Sequence, residues 1–151
     1  MPGAAPRSRW DVLAVIAVGG AFGSLARYGV GELLPWRGDG FPWATFIENV
    51  SGGFALGFLM VLLLDVWAPH RYARPFLGVG VLGGYTTFST YLLETRDLVA
   101  GDQAATAMAY LFGSLLVGLA AVWLGLGSAR LMVRRAQQRE GRINEETRMS
   151  S

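Results

Sequence analysis

The sequence predicts an all-α integral membrane protein with four transmembrane helices, and three observations lead there. Apolar residues make up 52% of its 151 residues and charged residues only 16%, whereas an average soluble domain is about 25% charged. Four segments, residues 12–34, 43–64, 76–98 and 106–131, are each long and apolar enough to span a hydrocarbon core, which takes about 20 residues. The links between them, 35–42, 65–75 and 99–105, carry the proline, glycine and charge of turns at a water boundary. Length allows one domain, 1–131, followed by an Arg-rich tail, 132–151. Residue counts exclude other classes. With no cysteine there is no disulfide scaffold, thiol nucleophile or zinc–cysteine site, and a triad or metal centre would rest on His70 alone. A formal charge of +2 makes no case for nucleic acid.

Each span has its own signature. Arg7 and Arg9 before the first apolar run resemble a signal peptide, but the segment continues through Arg27 to Leu34 with no cleavage pattern, so it reads as a retained helix. In the second, residues 58–64 are apolar all round, whereas a soluble four-helix bundle would keep a polar stripe. Trp10, Trp36, Trp43, Trp67 and Trp123 sit at or near segment ends, where amphipathic rings favour the headgroup level. The glycine pairs Gly19/Gly23, Gly53/Gly57 and Gly80/Gly84 have the spacing that lets membrane helices approach closely, inside one bundle or across a dimer.

The third span has an unusual interior. Gly83 and Gly84 are followed, after Tyr85, by four aliphatic hydroxyls in five positions: Thr86, Thr87, Ser89 and Thr90. Glycine favours opening of a helix, and Thr and Ser satisfy the backbone groups so freed. A break near the bilayer midplane is predicted, against the alternative of an intact helix with a hydroxyl packing face. Broken helices aim their dipole ends at ions. In the fourth span Thr106, Tyr110 and Ser114 share one face, as packing or as a polar track.

Other polar residues at depth are few: Arg27, Glu48, Asn49 and Glu94. Such groups mark pathways by default. Arg27 reads equally as the partner of a carboxylate such as Glu94 or as a snorkelling side chain, and Asn49 as interhelical glue. Taken together the set is donor-rich, which suits a small, strongly hydrated anion that must replace its lost water. The ring edges of Phe88 and Tyr91, about one turn apart, carry partial positive charge and would add to it.

These residues resemble a known family. Gly84-Tyr85-Thr86-Thr87-Phe88-Ser89-Thr90-Tyr91 is similar to the signature of the CrcB/Fluc fluoride channels, which normally ends TTFSTF. Gly19-Gly20-Ala21-Phe22-Gly23-Ser24-Leu25-Ala26-Arg27-Tyr28 resembles the family's first-helix pattern, and Asn49-Val50-Ser51-Gly52-Gly53-Phe54 its second-helix segment. The resemblance covers about residues 12–128, in order across all four spans. It implies a passive, fluoride-specific channel rather than an enzyme, built as a dual-topology antiparallel dimer with the third helix broken. It further implies two narrow fluoride pathways along the dimer interface and a structural Na⁺ held by the backbone carbonyls of Gly83 and Thr86. Carried over by motif, the pathway comprises Asn49, Phe88, Tyr91, Ser89, Thr90, Glu94, Tyr110, Ser114 and Arg27.

Three positions depart from that pattern. Tyr91 stands where a second phenylalanine is expected, Glu48 where an apolar or small residue precedes the Asn, and Gly118 where the fourth-helix track would continue. Glu48 is expected to face another helix or hold a proton. The arginines are also lopsided. Arg7, Arg9, Arg71, Arg74, Arg130, Arg134, Arg135, Arg139, Arg142 and Arg148 fall on the side of the termini, and only Arg37 and Arg96 on the other. The positive-inside rule makes both termini cytoplasmic in the plasma membrane. Such imbalance suits a subunit that inserts mostly one way and pairs with an oppositely oriented paralogue, rather than with itself. Two further readings remain: a pore-incomplete assembly subunit, and a small proton-coupled multidrug exporter with Glu48 as its carboxylate.

Overall fold

The structure, a computed structural model, describes residues 9–66 and 71–149, with side chains as far as Arg139. Arg7, Trp67 and His70 lie outside the described residues, as do the side chains of Arg142 and Arg148. Every regular element among the described residues is helical. Helix α1 is Trp10–Leu33 and α2 is Trp43–Val61, which widens into i→i+5 turns over Leu62–Val66. The third span opens as a wide helix, Arg74–Val81, and tightens into the single turn of α3, Leu82–Tyr85. It stops there and resumes as α4, Ser89–Ala100, before α5, Ala104–Met149.

Four helical stretches are long and apolar enough to cross a membrane: Trp10–Leu33, Trp43–Val66, Arg74–Ala100 and Ala104–Arg139. They contain the four predicted spans to within a residue. The chain is a multi-pass membrane protein. The third stretch has the lowest mean hydropathy over its most apolar 18 residues, 1.2, because even these take in the hydroxyl cluster and its glycines. The expected break is there, at residues 86–88. Thr86 is extended, with φ −83° and ψ 156°.

Glycine explains the packing. Helix α1 lies against the first half of the third span, and α2 against α5. A Cβ on Gly84 would stand 2.5 Å from the Gly20 carbonyl oxygen, and one on Gly80 2.8 Å from that of Ile16, so these backbones touch. Gly57 abuts the Val122 carbonyl and Gly125 that of Phe54 in the same way. The three predicted glycine pairs therefore line seams inside the protomer. Their role is bundle packing.

Polar clasps close both ends. At one, the Asp11 carboxylate accepts a hydrogen bond from Tyr72 Oη at 2.7 Å and pairs with Arg71 at 3.0 Å, tying the start of α1 to the entry of the third span. At the other, Gln103 donates to the Gly38 carbonyl at 3.1 Å and accepts from the Gly40 N–H at 2.9 Å. Both glycines have positive φ, +89° and +68°, which side chains rarely adopt. An aromatic cluster of Phe41, Tyr110 and Tyr91 fills the interior above this loop. The Arg-rich tail does not begin with a break in the helix. Instead α5 continues unbroken to Met149, 46 residues in all, about 69 Å of helix at 1.5 Å per residue.

Candidate functional site

The site grows out of the break. An unbroken helix would send the Thr87 N–H to the Gly83 carbonyl. Here it donates to Asn49 Oδ1 at 2.8 Å, while Asn49 Nδ2 donates to the Thr87 carbonyl, also at 2.8 Å. One amide on α2 thus satisfies both backbone groups of the residue at the centre of the gap. The hydroxyls complete the repair: Thr86 Oγ1 donates to the Leu82 carbonyl at 2.9 Å, and Thr87 Oγ1 accepts the Thr90 N–H at 3.2 Å, capping α4. Asn49 is therefore interhelical glue. It is not only that, since its amide has two N–H donors and spends one on the protein.

Beside Asn49 lies a cavity of about 240 Å³ lined by Asn49, Gly53, Phe88, Tyr91, Ser114, Gly118 and aliphatic residues of α5. Four of the predicted pathway residues, Asn49, Phe88, Tyr91 and Ser114, meet there. The Phe88 and Tyr91 ring centroids are 5.9 Å apart. Phe88 is 71% exposed in the protomer, whereas Tyr91 is buried against Tyr110. The Tyr91 hydroxyl, at the position that departs from the motif, donates to the Leu111 carbonyl and does not point a free polar group into the cavity. Ser114 Oγ is the one buried side-chain polar atom without a hydrogen-bond partner among the described residues. Gly118 leaves open space beside it, with nothing within 4 Å of where its Cβ would stand.

The remaining predicted residues gather elsewhere. Arg27, Thr90 and Glu94 line a second cavity, also about 240 Å³, with Thr45, Glu48 and Trp36. Arg27 neither pairs with Glu94 nor snorkels outward: its guanidinium reaches the Thr86 carbonyl at 3.4 Å. Glu94 accepts hydrogen bonds from Thr45 Oγ1 at 2.9 Å and Tyr110 Oη at 2.6 Å. Ser89 is exposed and lines neither cavity; its hydroxyl lies 3.4 Å from that of Thr87. The residue not foreseen is Thr45. Thr45 precedes Asn49 by four positions, so helical spacing from the named Asn would have found it.

At the two carbonyls that the resemblance nominates for Na⁺, the break takes away the helical hydrogen bonds. The Thr87 N–H that Gly83 would accept goes to Asn49, and the Thr90 N–H that Thr86 would accept goes to Thr87 Oγ1. Both carbonyls lack their helical donors, and Gly83 lies on an exposed side of the protomer. Neutral oxygens of this kind suit a hard cation, although Arg27 already leans on one of them. Among the described residues no group of three His, Cys, Asp or Glu comes together.

Comparison with known proteins follows the same residues. A family model described as CrcB-like protein, Camphor Resistance (CrcB), matches residues 14–126. The chain is 50% identical over 119 residues to fluoride-specific ion channel FluC 2 of Nocardia farcinica, covering 79% of this chain and 85% of that one. It is 45% identical over 136 residues to fluoride-specific ion channel FluC 1 of Streptomyces coelicolor, covering 87% and 88%. With fluoride-specific ion channel FluC of Thermus thermophilus it shares 48% identity over 118 residues, covering 76% and 94%.

Proposed function

The chain belongs to the CrcB-like family, and from that premise we propose that it is a fluoride-specific ion channel, not an enzyme, through which cytoplasmic fluoride leaves the cell passively. The observation that carries this reading is the cavity where Asn49, Phe88, Tyr91 and Ser114 meet. Fluoride is small and holds its water tightly. A passage must offer hydrogen-bond donors as that water is shed, and it must carry no net negative charge. The spare Asn49 N–H and the unpartnered Ser114 hydroxyl are such donors, the Phe88 ring edge adds partial positive charge, and no carboxylate lines this cavity. The driving force is external. HF enters from acidic surroundings and dissociates inside, and the negative membrane potential then expels F⁻. A nucleotide-driven pump is a poor fit, since a chain without lysine has no GxxxxGK[ST] loop.

The same reading includes an antiparallel dimer, with Na⁺ on the Gly83 and Thr86 carbonyls of the broken helix. The exposed Phe88 and the open side of Gly83 support it, because a second copy or a paralogue would cover both. When bound, Na⁺ would supply positive charge at the centre of the assembly. The residues of this chain do the rest: Asn49 holds the break open and Arg27 anchors the Thr86 carbonyl. Residues 1–131 are the channel domain and 132–151 a cytoplasmic tail in this reading. The arginine bias supports cytoplasmic termini in the plasma membrane and mostly one-way insertion. A C-terminal reporter should then signal from the cytoplasmic side alone, and equal signal from both sides would refute that orientation.

Fluoride efflux from liposomes holding the purified chain, read with a fluoride electrode, tests the function. Fast efflux without matching chloride efflux is expected, from the chain alone or with an oppositely oriented paralogue. Absence of fluoride flux in both preparations would overturn the reading.

A further inference from the structure

Glu48 is a charged side chain for which the pathway has no use. It is 3% exposed, and it lines the second cavity with Arg27, Thr45, Thr90 and Glu94. Arg27 stands six residues before the end of α1 and Glu48 five after the start of α2, so both lie about 8–9 Å in from the same end of the bundle. Glu94 has a hydrogen bond on each carboxylate oxygen, from Thr45 and Tyr110. Among the described residues, neither a hydrogen bond nor an ion pair closes on the Glu48 carboxylate.

The charged groups that reach Glu48 are Arg27 on α1 and Glu94 on α4. Its other neighbours are neutral: Thr45 and Asn49 on its own helix, and Thr90 on α4. From α5, Tyr110 donates to Glu94, and the α3 hydroxyl of Tyr85 is taken by Ser51 at 3.0 Å. A carboxylate without a hydrogen-bond or ion-pair partner inside a membrane span is costly as an ion. With both carboxylates ionised the cavity carries one cation against two anions, and an entering anion is repelled. A proton on Glu48 brings the balance to zero. It also adds an O–H donor facing the space beside the guanidinium, and a donor pair of that kind holds small anions well.

We propose that Arg27 and Glu48 form a second anion site, which takes a small hydrogen-bond-accepting anion only while Glu48 holds a proton. That the anion is fluoride rests on the channel reading above. The proton comes from hydronium in the water that reaches the cavity, which leaves neutral water behind, and it returns to water when the anion leaves. The site makes fluoride movement acid-dependent in this chain.

Fluoride flux should be measured in liposomes at neutral and mildly acidic pH, after subtracting the HF leak of protein-free vesicles. Flux through the wild type should rise several-fold on acidification. In Glu48→Gln it should be flat with pH at the acid level, and in Glu48→Ala, which also removes the charge, flat with pH. Wild-type flux that is equal at both pH values overturns the site and leaves the channel standing, as does a Glu48→Gln profile that follows the wild type. Fluorine NMR of the purified protein separates the site from the channel. A bound-fluoride signal should appear in the wild type only at acidic pH, at both pH values in Glu48→Gln, and at neither in Arg27→Ala. If the wild type carries no flux, the presence or absence of that pattern decides the second site by itself.

Discussion

Ser114→Ala should make the protein more stable and a worse channel. The substitution removes one oxygen and leaves the carbon framework, so the void it adds beside the cavity is small. In the wild type that oxygen is buried with no partner. An unsatisfied buried hydroxyl costs about 1–3 kcal/mol, and alanine is also the better helix former. A gain of about 1 kcal/mol or more is expected in reversible unfolding of the detergent-solubilised protein. The same oxygen lies beside the Asn49–Phe88 cavity. A hydrogen bond to a charged group is worth about 1.5–3 kcal/mol. If the hydroxyl turns to a passing fluoride, its loss should slow efflux about 10- to 150-fold, at about 1.4 kcal/mol per tenfold. Gained stability with unchanged flux would mean the hydroxyl never meets the ion. Lost stability would mean that it has a structural partner after all. Either result refutes the argument.

Asn49→Leu removes both bonds that close the break, leaving the Thr87 N–H and carbonyl unpaired. It should cost about 2–4 kcal/mol and abolish flux, whereas Asn49→Asp keeps the acceptor for the Thr87 N–H and should fold without conducting; unfolding scans and liposome efflux distinguish the two. Gly84→Val would press a branched side chain on the Gly20 carbonyl and should reduce the yield of folded protein. Gly113→Ala, with nothing within 4 Å, should be neutral or stabilising by up to about 1 kcal/mol on thermal unfolding. Tyr91→Phe restores the motif residue and removes only the hydroxyl bonded to the Leu111 carbonyl. It should cost about 1 kcal/mol and leave fluoride efflux at or above wild type.

The spans were legible because hydropathy is a one-dimensional signal, and the break because glycine and hydroxyls cluster within about two turns. The glycine pairs were legible as contact surfaces but not as to partner. Only the fold shows that Gly80 meets Ile16 and Gly57 meets Val122. Most of the site depended on pairings distant in sequence. Asn49 could be nominated, yet its hold on Thr87 joins residues 38 apart. Arg27 could be read as a partner for Glu94 or as snorkelling, and it leans instead on a carbonyl 59 residues away that is available because the helix is broken. The pathway residues named together also divide between two cavities, because Phe88 and Tyr91 point one way from α4 and Thr90 and Glu94 another. A motif lists residues in order along the chain and does not say which way each faces.

The third span belongs to two different helix pairs. Its first half is seated on α1, while α4 packs on α5, and three residues held by Asn49 join them. This gives biosynthesis an order. When the third span leaves the ribosome, α1 and α2 are already made, so its first half has a seat and the amide that closes the gap is waiting. α4 has only its edge contact with α2, through Thr45 and Glu94, until α5 has been synthesised. A nascent chain arrested before Ala104 should therefore hold a finished half-bundle and a dangling half-helix. It is α5 that completes the interior around Tyr91 and Tyr110.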